Sequence, residues 1–170
     1  QQVQQIINQG EGLRIEYKEA TDSVPGSFYE TVVSLSNTDG GVILLGVADN
    51  KTVTGINRAI MVKLQKDIVT ALNTRDCINP PVYVQPFTVE HPDGLIMIIQ
   101  VPSSSQVHDH SGRIYSREFE ADLDITDDQQ KVSDIYLRKR NFFTESIIYP
   151  HLTMEHLDKS DNVPEFDVFV

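Results

Sequence analysis

Three carboxylates and one lysine lie at positions from which they could act together. Residues two apart on a strand share a face, so Glu16 and Lys18 should point the same way if the alternating segment 13–17 is a strand. Glu11 could reach that face from the preceding loop, and Asp49 ends a later apolar strand. Converging carboxylates would supply the oxygen ligands with which Mg²⁺ or Mn²⁺ assists phosphodiester hydrolysis. The spacing alone favours the alternative, solvated charges with Lys18 neutralising Glu16.

A second candidate is the glycine pair Gly40 and Gly41, which follows a predicted helix and precedes the apolar run 42–47. Paired glycines allow positive φ and close approach of the backbone, so their N–H groups could meet a phosphate or a base. The segment lacks both the Gly-Lys-Ser/Thr ending of a Walker A loop and the dinucleotide-binding fingerprint. A plain helix C-cap leading into a buried strand explains the glycines equally well.

Two further clusters have residue types that could do chemistry. Arg138, Lys139 and Arg140 make a basic end to the last predicted helix, which suits the helix dipole or a phosphate contact. His108 and His110 flank an aspartate and have the chemistry of metal ligands, but no third partner is evident. We expect this histidine segment to be a surface loop.

The elements that must position these residues follow from hydrophobic periodicity and turn chemistry. Helices are predicted near residues 3–10, 27–37, 61–72 and 126–140, and strands over 13–17, 42–47, 52–56, 82–89, 95–101 and 113–117. Ser27 with Glu30, and Thr126 with Gln129, have the spacing of helix-start capping boxes. The fold class is therefore mixed α/β (α+β), with a mixed sheet, β-hairpins and about four helices. In the hairpin 82–101, Pro86 places the first strand at an edge or a bulge.

Bulk composition limits the classes of protein. The chain has 170 residues and a net charge of −11, with 9 basic and 12 acidic residues in 1–117 but 5 and 13 in 118–170. The acid excess removes global charge as support for nucleic-acid binding. Cys77 is the single cysteine, which excludes an intrachain disulfide and fits a reducing, cytoplasmic location, and no apolar run is long enough for a membrane helix. We expect one principal domain, 1–141, followed by an extended arm or linker, 142–170, towards a further domain.

An ordered set of motifs is similar to the hallmark of the Schlafen AlbA-type domain family. The residues are Glu11-x4-Glu16-x-Lys18, Asn37-Thr38-x-Gly40-Gly41, Gly46-Val47-x-Asp49, Val53-x-Gly55, Val101-Pro102-x-Ser104 and Arg113-x-Tyr115-x-Arg117. The likeness extends from about Gly10 to Arg140, and the ordered set is far more specific than any one piece. The chain departs from the family where a Gly-Ser segment usually follows the Tyr-x-Arg strand, because Glu118 to Asp122 stand there instead.

The resemblance implies a nucleic-acid-binding domain of a bacterial transcription-regulator-like protein, with DNA as the expected target ahead of RNA. The phosphate-contact candidates are then Lys18, Gly40, Gly41, Arg113, Arg117, Arg138 and Arg140. In the Schlafen branch, carboxylates matching Glu11, Glu16 and Asp49 support metal-dependent RNA cleavage, so an endoribonuclease using Mg²⁺ or Mn²⁺ is the alternative. A third class is a protein-interaction domain or homodimer, suggested by the acidic surface and the apolar residues Phe142, Phe143, Ile147, Ile148 and Tyr149.

Overall fold

The computed structural model describes residues 2–148, with side chains described as far as Asn141. Within that range the helices are α1 (Gln2–Gln9), α2 (Ser27–Asn37), α3 (Met61–Leu72) and α4 (Gln129–Ile148). The strands are β1 (Ile15–Lys18), β2 (Gly41–Leu45), β3 (Ile78–Asn79), β4 (Phe87–His91), β5 (Gly94–Val101), β6 (Asp109–His110), β7 (Tyr115–Glu118) and β8 (Ala121–Asp124). The predicted mixed α+β class with four helices is confirmed.

The main sheet has four strands in the order β1-β2-β5-β4. β1 runs parallel to β2, whereas β2 with β5 and β5 with β4 are antiparallel, so the sheet is mixed. The predicted hairpin is present as β4 and β5, and β4 lies at the edge and begins only after Pro86, where a missing N–H does no harm. β3 with β6 and β7 with β8 form separate two-stranded ladders.

Both faces of the sheet are covered, which explains why β2 is apolar at every position after its first. Ile43 and Leu45 face the larger core, which α2 and α3 close with residues such as Phe28 and Ile68. Leu44 points to the opposite face, where Ile7 of α1 packs in a smaller cluster. A strand buried on both sides loses the polar alternation that marks a half-exposed strand.

Two local predictions are wrong, and a third holds only in part. α2 begins at Ser27 with Gly26 at the cap and no side-chain capping bond, so the first capping box is absent. The segment 52–56 forms no ladder with β2 itself, because β1 and β5 already occupy both edges of β2. It makes a short antiparallel turn with the residues just after β2, through the bridge Val47–Val53 and the bond from the Thr54 N–H to the Gly46 carbonyl at 2.9 Å. α4 is capped by Asp128, whose Oδ1 accepts the Lys131 N–H at 3.1 Å, rather than by Thr126.

The buried stripe of α4 also differs from its prediction. Ile135 is buried as expected and Val132 is half-buried, but Tyr136 is 56% exposed and Lys139 is buried instead. The helix continues to Ile148, past the expected domain boundary at 141. The rest of the predicted arm lies outside the described residues. None of the described helices combines the length and apolar character that crossing a bilayer requires.

The glycine pair is required by packing. Gly40 has φ +70°, and an added Cβ there would lie 2.7 Å from the Val101 carbonyl oxygen. At Gly41 it would lie 2.5 Å from the Arg14 carbonyl oxygen, because β2 begins close beside the residue preceding β1. The Gly40 N–H donates to the Leu35 carbonyl at 2.8 Å, so the helix C-cap interpretation accounts for the pair. The Gly40 N–H is therefore already engaged within the protein.

Gly41→Ala should therefore destabilise the domain by about 1–3 kcal/mol, the usual cost of overpacking against backbone that cannot move. Gly26→Ala is the matched control, since nothing lies within 4 Å of a Cβ at that position and its φ is −55°. Urea unfolding followed by circular dichroism measures both. Equal stability of the two variants would contradict the packing role of Gly41.

Candidate functional site

The most completely enclosed charge of the site is Arg117 on β7, whose side chain is 0% exposed. Its Nη2 donates to Glu16 Oε2 at 2.6 Å and its Nη1 donates to Asp122 Oδ1 at 2.9 Å. The Gly12 carbonyl accepts from Nη2 at 2.8 Å and from Nε at 3.2 Å. Every nitrogen of this guanidinium therefore has a protein partner, and Arg117 is not available to a phosphate in this arrangement.

The ion network continues from Asp122 into α2. Asp122 Oδ2 accepts the Thr31 hydroxyl at 2.5 Å, and its Oδ1 also accepts the Ser34 hydroxyl. On the other side, Lys18 Nζ donates to Glu16 Oε1 at 2.7 Å, with both side chains 11% exposed. Lys18 neutralises Glu16, as the alternative to a metal site predicts, but Glu16 is buried and Lys18 is half-buried, so the pair is not solvated. Arg117 thus joins β7 to β1 and β8 through ion pairs, and Asp122 extends the network to α2 through hydroxyl hydrogen bonds.

The carboxylates proposed as metal ligands come near one another without forming a metal site. Burial raises the pKa of Glu11, the Tyr17 N–H bond to its Oε1 lowers it, and the nearby charges of Glu16 and Asp49 raise it further. Both oxygens of Glu16 are already bound by cations. Among residues whose side chains are described, no group of three His, Cys, Asp or Glu could hold a metal ion. In this arrangement the residues present do not fit Mg²⁺ or Mn²⁺.

The remaining predicted arginines lie on the surface but in different surroundings. Arg113 is 58% exposed and pairs with Asp124, so an acidic partner already competes for it. Arg138 and Arg140 are two residues apart, about 200° around a helix, and so face different sides of α4. Arg138 lines a hollow with Glu118 and Asp134, whereas Arg140 lines a separate groove.

We call that second hollow the α4 groove. It has a volume of about 650 Å³ and is lined by Pro80, Ser105, Gln106, Val107, Ser133, Tyr136, Leu137, Lys139 and Arg140. Its lining contains two cations and no carboxylate, in a chain with a net charge of −11. The α4 groove is therefore a cationic hollow of the described surface. The hollow between α3 and the residues leading into β4 also lacks a carboxylate but has one cation, Lys66.

A polar cluster missed by sequence reasoning lies beneath the α4 groove. His108 is 2% exposed, so the prediction of a surface loop is wrong at this residue. Its Nδ1 lies 2.6 Å from the Pro80 carbonyl oxygen and its Nε2 lies 2.7 Å from Ser104 Oγ. Asn37 holds the same segment, since its Oδ1 accepts the His108 N–H and its Nδ2 donates to the His108 carbonyl. No local pattern separates such a histidine from an exposed one.

Lys139 fixes α4 to this cluster. Its Nζ donates to the Ser104 carbonyl at 2.6 Å and to the Ser36 carbonyl at 3.0 Å, and no carboxylate pairs with it among the side chains described, which end at Asn141. Burial, with a smaller contribution from Arg138, lowers the pKa of Lys139 to about 8. Burial also lowers the pKa of His108, and Lys139 lowers it further, while the Pro80 carbonyl and Asp109 act in the opposite direction.

Comparison with known proteins assigns the family. The sequence profile of the Schlafen, AlbA_2 family matches residues 11–140, so the chain belongs to that family. Among solved structures, the DIP2311 protein from Corynebacterium diphtheriae is similar with a TM-score of 0.51 and 15% identity, over 72% of this chain and 29% of that one. The N-terminal domain of a RecG-related protein from Nitrosomonas europaea gives a TM-score of 0.46 and 23% identity, over 59% and 72%. No curated protein matches the chain. At 15% identity the likeness to DIP2311 shows a shared fold alone.

The lowered pKa of Lys139 predicts how stability depends on pH. The folded protein disfavours the Lys139 proton, so the unfolded chain binds more protons between about pH 8 and the usual lysine value, and stability rises with pH in that window. A neutral amine still has two protons with which to bond both carbonyls. Between pH 8 and 9.5 the wild type should therefore gain about 1–2 kcal/mol relative to Lys139→Met. Urea unfolding at the two pH values tests this, and parallel pH dependences would contradict it.

Proposed function

We propose that this chain is a nucleic-acid-binding domain, with DNA as its expected target, that serves a transcription-regulator-like protein. The observation that carries the proposal is the α4 groove, which presents cations and no carboxylate on an otherwise acidic chain. Membership of the Schlafen, AlbA_2 family agrees with an association with nucleic acid.

The polar groups of the α4 groove suit a phosphate. Arg140 is exposed, and a guanidinium suits a phosphate because its planar fork matches two phosphate oxygens. The hydroxyls of Ser105 and Ser133 and the amide of Gln106 add neutral donors, of the kind that fix register on a backbone. Lys139 remains mostly protonated at neutral pH with its pKa near 8, so it adds positive potential from below.

The apolar groups of the same groove favour an unpaired base. Tyr136 is 56% exposed, although it was expected in the buried stripe of the helix, and Leu137 beside it is 54% exposed. Exposed aromatic rings beside a cationic groove are the stacking platforms of single-strand binding proteins. We therefore expect single-stranded DNA to bind more tightly than duplex DNA of the same length.

The charge distribution limits the strength of binding. On the other side of α4, Glu118 and Asp134 flank Arg138 and would repel a second phosphate. Neutralisation of only one or two phosphates gives a salt slope of roughly −1 for a single strand. Binding should therefore be weak and confined to low salt.

Fluorescence anisotropy of labelled single-stranded DNA, duplex DNA and structured RNA at low salt tests the proposal. Tyr136→Ala should weaken single-strand binding roughly tenfold, since stacking on one ring contributes about 1–3 kcal/mol. Arg140→Ala should weaken binding to all three probes. The slope of log affinity against log salt should fall by about the contribution of one phosphate contact.

Lys63→Ala is the matched control, because it removes one positive charge from α3, where Lys63 is 78% exposed and pairs with Asp67. Its affinity should equal that of the wild type. No binding by the wild type at low salt, or equal weakening in Lys63→Ala, would remove the proposal. Probe length on a gel, with and without Mn²⁺, distinguishes binding from the endoribonuclease alternative.

Homodimer formation is the second candidate function, supported by a different surface. A groove of about 1040 Å³ lies between α3 and the residues leading into β4. Val62, Tyr83 and Phe87 line it and are 65%, 73% and 42% exposed, beside the open edge of the sheet. An open sheet edge can pair with a strand of a second copy. An exposed apolar patch can pack against a second copy. Sedimentation velocity of the anisotropy samples decides, since a mass that rises with protein concentration indicates the dimer.

A further inference from the structure

Three consecutive serines follow β5, and they differ in what their hydroxyls contact. Ser103 Oγ donates to the Thr38 carbonyl at 2.8 Å. Ser104 is half-buried and its Oγ lies 2.7 Å from His108 Nε2. Ser105 is exposed and lines the α4 groove. Ser104 alone of the three therefore contacts an imidazole.

The hydrogen bonds determine where the protons are. A carbonyl oxygen can only accept, so His108 Nδ1, at 2.6 Å from the Pro80 carbonyl, must carry the ring proton. In the neutral ring Nε2 then has a lone pair, and the Ser104 hydroxyl donates to it. The Gln106 N–H donates to Ser104 Oγ at 3.1 Å, which leaves that hydroxyl proton directed at the imidazole.

The surroundings keep His108 in the form of a base. Burial and the neighbouring Lys139 lower its pKa and outweigh the Pro80 carbonyl and Asp109, so the ring is neutral at pH 7. Two side chains within hydrogen-bond reach, with the base oriented by a third group, make the arrangement that activates serine in acyl transfer. Here a carbonyl takes the orienting position that a carboxylate holds in the Ser-His-Asp triad.

We propose that Ser104 is a nucleophile for acyl transfer, with His108 as its general base, and that its substrate is a carboxylic ester whose alcohol part is anionic. The α4 groove adjoins this pair without being lined by it: its walls include Pro80, Ser105 and Gln106, and its charged lining is Lys139 and Arg140. An ester bound by these cations would have to reach past that wall to Ser104, which is half-buried. This activity does not rest on nucleic-acid binding, although both proposals place an anion in the α4 groove.

The reaction balances with water as the second substrate. Ser104 Oγ bonds to the acyl carbon as its proton passes to His108 Nε2, and the ester C–O bond breaks as that proton passes to the leaving alkoxide. Water then adds to the acyl carbon with His108 again taking the proton, the Oγ–acyl bond breaks, and Ser104 recovers its hydrogen. The products are the carboxylic acid and the alcohol.

A fluorophosphonate probe tests the nucleophile without requiring the natural ester. Attack by Ser104 Oγ forms an Oγ–P bond, breaks the P–F bond and releases fluoride, while His108 takes the proton. Intact-mass measurement of the full chain should show one adduct, and peptide mapping should place it on Ser104. Ser103→Ala, the matched control outside the groove, should be labelled like the wild type, and Ser104→Ala should not be labelled.

The role of His108 is tested in the same assay. His108→Gln should slow labelling at least about 100-fold, the usual contribution of a general base. In the wild type, the labelling rate should rise with pH through the lowered pKa of His108 and be level by pH 7, with Lys139 and Asp109 as the facing charged groups. The wild-type profile keeps the test valid if His108→Gln fails to fold. No adduct on folded wild type, labelling of Ser105 at an equal rate, or a rate that does not change with pH would overturn the proposal.

Discussion

The burial of the Arg117 guanidinium constrains the whole domain. A charge with no exposed surface costs several kcal/mol to remove from water unless carboxylates and carbonyls replace that water. Glu16, Asp122 and the Gly12 carbonyl do so, and they arrive from β1, β8 and the loop before β1. Asp122 in turn is held by hydroxyls of α2. The positions of these elements relative to one another are therefore tied to a single cation.

This ion network gives a structural role to residues of the motifs that resemble the Schlafen AlbA-type family. Glu16 is paired with both Lys18 and Arg117 in one ion network. Gly40 and Gly41 let the neighbouring backbone come closer than a Cβ atom would allow. These residues account for the recognisable sequence because they determine the fold. Any contact with an anion then falls to surfaces around this framework, and on an acidic chain the α4 groove has the charge to make one.

Sequence reasoning succeeded where structure is local and failed where partners are distant. Apolar periodicity located α2, α3, β2 and the β4–β5 hairpin, because each has its own hydrophobic pattern. The burial of Arg117 depends on Glu16, 101 residues away in the sequence. No residue close to Arg117 in the sequence indicates that partner. Lys139 shows the same limit. Its basic neighbours in the sequence predict an exposed side chain, whereas its Nζ contacts the distant carbonyls of Ser36 and Ser104.

A double-mutant cycle on the Arg117–Glu16 pair tests the account most directly. Urea unfolding should show a loss of about 3–5 kcal/mol for Arg117→Met, because Asp122 loses Arg117 and Glu16 keeps only Lys18 as a cationic partner. Arg117→Met with Glu16→Gln should cost at least about 2 kcal/mol less than the two single losses together. Arg113→Met, the exposed control paired with Asp124, should cost less than about 1 kcal/mol. Strict additivity, or equal losses at Arg117 and Arg113, would contradict the central role of this buried charge.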